Sequence, residues 1–109
     1  MKRKAPPSLT RLGGASISVL FVEDVKEELR QRGFPPGRKR LHGALLRDEA
    51  KRVILIDSSL SEREASSTFL HEVLHALLPD LSEDRILKLE KSLFPFLWNR
   101  GFRPVGPTS

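Results

Sequence analysis

Residues 61–84 read SEREASSTFLHEVLHALLPDLSED, and this stretch decides the fold. Ser61 and Glu64 have the spacing of a capping box, in which a hydroxyl and a carboxylate each satisfy a backbone N–H left open at a helix start. Phe69, Leu70, Val73, Leu74, Leu77 and Leu78 then recur at helical spacing. The pattern predicts a helix from Glu62 to Leu78, ended by Pro79, which pushes the residue before it out of helical geometry. Ser82 is a second N-cap, followed by Glu83 and Asp84 in a first turn where the helix dipole favours acids. Ile86, Leu89, Leu93 and Leu97 give the second helix its apolar stripe. Pro95 lies inside that stripe and is expected to kink or shorten the helix.

Working upstream, RVILIDSS (52–59) is the clearest strand. Its unbroken apolar run, Val53 to Ile56, predicts a central position covered on both faces. LHGALLR (41–47) reads as another strand, with Gly43 marking a bulge or a close backbone approach. ISVLFV (17–22) reads as a third strand or the start of one. In the following EDVKEELRQRGF, the spacing of Val25 and Leu29, four apart among charges, also allows a short helix ending near Gly33. Residues 1–15 read as a flexible basic lead-in, 16–100 as one domain and 101–109 as an irregular tail. The expected architecture is α+β: a small, mostly antiparallel sheet of about three strands packed on the first of the two late helices, with the second behind it.

The chain has 109 residues, 39% hydrophobic and 30% charged, which fits one small folded domain rather than a disordered segment. No apolar run approaches a membrane span, and the basic N-terminus lacks the apolar stretch of a signal peptide. Cysteine is absent, which excludes disulfides and thiolate metal sites and makes a cytoplasmic setting the expectation. The net charge of +5 is compatible with nucleic acid as a partner, through Lys2, Arg3 and Lys4 or through Arg38, Lys39 and Arg40. The bland reading of the second run is a solvated loop. Phe94, Phe96 and Trp98 are divided between core and a partner surface.

The chemistry lies in His71-Glu72-x-x-His75. Two histidines four apart share one helix face, about 5–6 Å apart at Cβ, and both imidazoles can reach one ion. Glu72 is turned about 100° away, so it can flank the ion without ligating it and move protons for an attacking water. A chance occurrence in a chain of this composition is on the order of one in 200. A hydrolytic zinc site needs a third protein ligand and one open position. The positions four and six past His75 are Pro79 and Leu81, which exclude two common third-histidine arrangements. Glu83, Asp84 and Asp80 remain, and His42 is the one histidine outside the motif. Glu83 has a bland alternative as a first-turn acid stabilising the dipole. Asp57 and Asp80 are candidates to accept a ligand histidine's second N–H, although turn or capping roles suit them as well.

STFLHEVLHALL (67–78) followed by LSEDRILKLEKSLFPFL (81–97) resembles the short zinc-peptidase-like proteins of phages and mobile elements. These are related in layout to the ImmA/IrrE-type metallopeptidases and the minimal gluzincins. The resemblance covers roughly residues 41–98 and is most specific at the H-E-x-x-H helix. It implies a minimal zincin-like domain and Zn²⁺ held by His71, His75 and Glu83. Glu83, Ile86 and Leu89 match the family's glutamate-plus-apolar pattern, which carries the third-ligand role to Glu83 rather than Asp84. It further implies Glu72 as general base and then general acid, and a peptide or protein substrate. The chain departs from the pattern at Pro95 and in having no tyrosine, so His42 or an arginine would have to stabilise an oxyanion. The alternative expectation is a catalytically weak or inactive binding module on the same scaffold.

Overall fold

The computed structural model describes residues 10–12, 15–35, 41–48 and 51–104. It is an α+β fold. The elements run β1 (Thr10–Leu12), β2 (Ala15–Val22), α1 (Val25–Gln31), β3 (Gly43–Asp48), β4 (Lys51–Asp57), α2 (Glu62–Leu77) and α3 (Glu83–Asn99). The sheet order is β1-β2-β4-β3. The three expected strands are β2, β3 and β4, and Thr10–Leu12, inside the expected lead-in, adds a short fourth beside β2. The outer pairings are antiparallel, but β2 and β4 run parallel, with Ile17 opposite Arg52 and Phe21 opposite Ile56. The parallel pairing follows from the long connection through α1 and β3. It delivers β3 one position away from β2, and the β3–β4 hairpin return fills the gap in β2's own direction.

β4 is central, as its apolar run predicts. Ile54, Leu55 and Ile56 are fully buried, each contributing about 1.5–3 kcal/mol of transfer free energy. Ile17, Val19, Ile54, Ile56, Leu60 and Ala65 form a core between the sheet and α2, with Phe69 and Val73 packed against it. Leu70 and Leu74, on another side of α2, join Ile86 and Phe94 of α3 in a second core. α2 is therefore covered by the sheet on one side and by α3 on another, and its remaining stripe carries the histidines.

The capping box at Ser61 and Glu64 is formed in both directions, and Ser82 caps α3 by accepting from the Arg85 N–H. α1 and α3 close alike. Gly33 and Gly101 take φ of 92°, a left-handed conformation that suits glycine, and their N–H groups return to Arg30 and Trp98. The following Phe102 turns in over Phe94, with ring centroids 6.4 Å apart, so the start of the expected tail is folded onto the second core. α3 is not shortened at Pro95 and continues to Asn99. Pro95 lacks the N–H that a helix interior uses, and Phe94, Leu97 and Trp98 hold the last turns in the second core. The basic runs at Lys2 to Lys4 and Arg38 to Arg40, and positions 105–109, lie outside the described residues.

Candidate metal centre

α2 and α3 are antiparallel neighbours joined by a tight turn in which the Leu81 N–H returns to the Leu78 carbonyl. That turn sets Glu83, the first residue of α3, opposite the last turns of α2. Three ligand groups converge there. His71 Nε2 and His75 Nε2 are 3.2 Å apart. Glu83 spans them, with Oε1 2.7 Å from His71 Nε2 and Oε2 2.8 Å from His75 Nε2. His71, His75 and Glu83 can hold a metal ion, since one ligand atom from each lies within 4.8 Å of the others. Two ligands at ~2.0–2.1 Å from a tetrahedral ion are about 3.3–3.4 Å apart, so the imidazoles already have the required separation. The carboxylate must retreat by about half an ångström. Its side chain is 60% exposed and free of the core, so nothing opposes that movement.

Asp80 and Asp84 are exposed and stand outside this group, which leaves Glu83 as the third member that the resemblance implies. Asp57 does not approach the histidines. It is buried at the end of β4, where one carboxylate oxygen accepts from the Ser59 N–H and hydroxyl. The acid behind His71 is instead Glu90, one oxygen of which lies 3.6 Å from His71 Nδ1, an ion-pair distance rather than a hydrogen bond. Its other oxygen accepts from the Ser67 hydroxyl at 2.8 Å. Glu90 is seven residues past Glu83, two turns along the same face of α3, and that spacing was the available signal for it.

Glu72 is buried, 8% exposed, beside the ligand group. Removal from water pushes its carboxyl up to about 7; neighbouring Glu83 and Glu90 add to the rise, and His71 opposes it. Gly43 is what lets β3 come this close. A Cβ there would collide with Thr68 Cγ2, lie 2.9 Å from the Leu55 carbonyl oxygen and stand 3.6 Å from Glu72 Oε2. The expectation of a close backbone approach at Gly43 is met, and the surface it approaches is α2 at Thr68 and Glu72. Further along β3, Arg47 Nη2 donates to the His75 carbonyl at 2.8 Å, tying the strand to the ligand-bearing end of α2. The site opens into a cleft of about 1060 Å³ floored by α2, with Leu41 to Ala44 on one side and α3 on the other. His42 lines this cleft but is not in the ligand group.

Comparison with protein-family models, curated proteins and solved structures finds no match to this chain. Among the described residues, no helix is long and apolar enough to cross a membrane.

Proposed function

We propose that the protein is a minimal zinc-dependent metallopeptidase of the gluzincin-like type. The observation that carries this reading is the convergence of His71, His75 and Glu83 with the buried Glu72 carboxyl beside them in one cleft. Two imidazoles and a carboxylate form a donor set suited to Zn²⁺, with one position left open in a tetrahedral shell. Bound there, zinc would supply Lewis acidity, lowering the pKa of a coordinated water and polarising a peptide carbonyl. Glu72 takes the proton from the attacking water and delivers it to the leaving amine. A carboxyl raised to about 7 retains a proton readily between those two steps. A neighbouring cation will draw that value down, toward the ionised base that the first step needs. Glu90 favours the His71 tautomer that carries its proton on Nδ1 and turns Nε2 toward the ion.

β3 is the outer strand of the sheet order and suits an extended peptide. The Asp57 N–H bonds the His42 carbonyl, so by antiparallel alternation Ala44 and Leu46 also face β4. Gly43 and Leu45 then direct their N–H and C=O groups away from β4, toward a peptide in the cleft. His42 and Arg63 both line the cleft and are the candidates to donate to a developing oxyanion.

The test is metal content of untagged protein by elemental analysis, combined with hydrolysis of a peptide library. The expected result is about one zinc per chain, lost in Glu83→Ala and His75→Ala, with Glu72→Gln retaining zinc and losing hydrolysis. Failure of the wild type to take up zinc, even when zinc is supplied, would overturn the proposal. A second reading, a zincin-fold binding module without turnover, is favoured by the lack of any tyrosine to support an oxyanion. It predicts that Glu72→Gln leaves partner affinity unchanged and that wild type cleaves nothing.

A further inference from the structure

Glu83, Leu87, Lys91 and Pro95 all line the cleft and stand four residues apart along α3. Successive members of such a row rise about 6 Å along the helix. An extended peptide repeats its side-chain direction every two residues, about 6.6 Å. The row is therefore close in register with one face of a strand lying in the cleft: a metal ligand, an apolar side chain, a cation and another apolar side chain. Across from Lys91, at the start of α2, Arg63 lines the same end of the cleft. Its guanidinium lies 5.4 Å from the Phe94 ring centroid and 5.3 Å from that of Trp98, which holds it over the aromatic end of the helix pair.

Neither cation has an ion-pair partner among the described residues. The acids that share the cleft are otherwise engaged. Glu64 is held in its capping box, Glu90 by Ser67 and beside His71, and Glu83 by the two histidines. Glu72 is buried at the site itself. Hydrogen bonds to neutral groups leave Glu64 and Glu90 charged, so this end of the cleft carries both signs, and Arg63 and Lys91 are its two cations that are not tied into an ion pair among the described residues.

Strand direction gives the sense of the peptide. Gly43 sits by Thr68 and Glu72, and Arg47 by His75, so β3 runs in the same sense as α2. Antiparallel pairing is the more stable kind, and it sends the C-terminal half of a bound peptide toward Arg63 and Lys91. Lys91 is eight residues past Glu83, about 12 Å along the axis, or three to four residues of extended chain.

Resting on the peptidase reading, we propose that Arg63 and Lys91 select substrates carrying a carboxylate three or four residues beyond the scissile bond on its C-terminal side, with an apolar side chain before it against Leu87. The carboxylate comes either from an acidic side chain or from the chain terminus.

The experiment measures affinity, not turnover. Zinc-loaded Glu72→Gln protein is titrated with fluorescent tetrapeptides capped at the N-terminus by a hydroxamate, which anchors them at the metal. The third and fourth residues are Glu or Gln, and each peptide is made with a free or an amidated C-terminus. A carboxylate in register is expected to tighten binding about fivefold, and Lys91→Gln and Arg63→Gln to remove that gain with zinc content unchanged. A gain from Glu in amidated peptides assigns the site to an acidic side chain. A gain only from the free terminus assigns it to a chain end. Equal binding of charged and neutral peptides to zinc-loaded protein overturns the subsite and leaves the peptidase reading standing. If the protein takes up no zinc, the same peptides without hydroxamate are used. A carboxylate preference lost in both variants then sustains the subsite while the peptidase reading fails, and no preference overturns both. A single-stranded oligonucleotide that binds more tightly than every peptide and weakens in the same variants also overturns it.

Discussion

The two ends of the α2–α3 pair are built in opposite ways. At one end the partly buried His71 and His75 and the exposed Glu83 meet through hydrogen bonds to one another, with Glu90 behind His71. At the other, Phe94 meets Trp98 at a tilt and Phe102 edge-on, and Arg63 and Arg103 lie over Trp98, the latter 3.4 Å from its ring centroid. The first end is poised to change partners, because its contacts are the donor atoms a cation would take. The second is closed by apolar area and cation–π contact that no ligand need complete. Packing alone closes the aromatic end, whereas at the histidine end Leu70, Leu74 and Ile86 pack beneath a polar group that a cation could engage.

The largest effect that separates the two ends is metal linkage. Zinc at a thousand times its dissociation constant should raise the unfolding free energy by about 4 kcal/mol. Chelation should remove that gain, and His75→Ala should show no gain at all. Chemical denaturation with and without chelator measures it. Next comes the aromatic end. Phe94→Ala should cost about 3–4 kcal/mol whether or not metal is present, because it opens a cavity among Leu70, Ile86 and Trp98. If chelation and Phe94→Ala fail to add, the two ends are one cooperative unit and the comparison breaks.

A third effect is electrostatic and belongs to metal-free protein. The folded-state value of Glu72, about 7, lies above its ordinary 4.5. The native state therefore holds this proton more tightly than the unfolded chain does. Stability falls as pH rises from about 4.5 to 7, where the folded protein must either ionise a buried carboxyl or keep a proton the unfolded chain has released. The loss is at most of order 3 kcal/mol. Glu72→Gln should abolish this slope and leave metal-free protein more stable than wild type at pH 8. Urea unfolding of both proteins from pH 4 to 8, with chelator present, measures the difference, which belongs to Glu72 together with the His71, Glu83 and Glu90 groups it interacts with.

The contrast between the ends also explains what could be read from sequence. α2 announces itself through a capping box and helical periodicity, and H-E-x-x-H lies within one turn, so local spacing is sufficient. The centrality of β4 is equally local, carried by Val53 to Ile56. The parallel pairing of β2 with β4 is not, because it depends on where the α1 connection delivers β3, and no residue in ISVLFV or RVILIDSS specifies that. Thr10–Leu12 shows the same limit: three residues carry too little pattern to mark a strand, and pairing with β2 makes it one. Gly43 signals a close approach, but only the fold shows that Glu72 lies beneath it.

Glu90 is the instructive omission. The sequence offers Asp57 and Asp80, near the strand end and the turn, as acids for the back of a ligand histidine, whereas the helix that carries Glu83 carries Glu90 two turns later. Its expected effect is the smallest of the four. Glu90→Gln keeps the size of the side chain and an acceptor for the Ser67 hydroxyl, but removes the charge 3.6 Å from His71 Nδ1. Zinc affinity should fall about 10- to 100-fold with unchanged stoichiometry, because outer carboxylates orient a ligand imidazole and raise its basicity. Metal-free stability should change little. Competition with a chromophoric chelator measures the first and urea unfolding the second. A loss of stability without loss of affinity would make Glu90 a packing residue of the α2–α3 interface and detach it from the metal end.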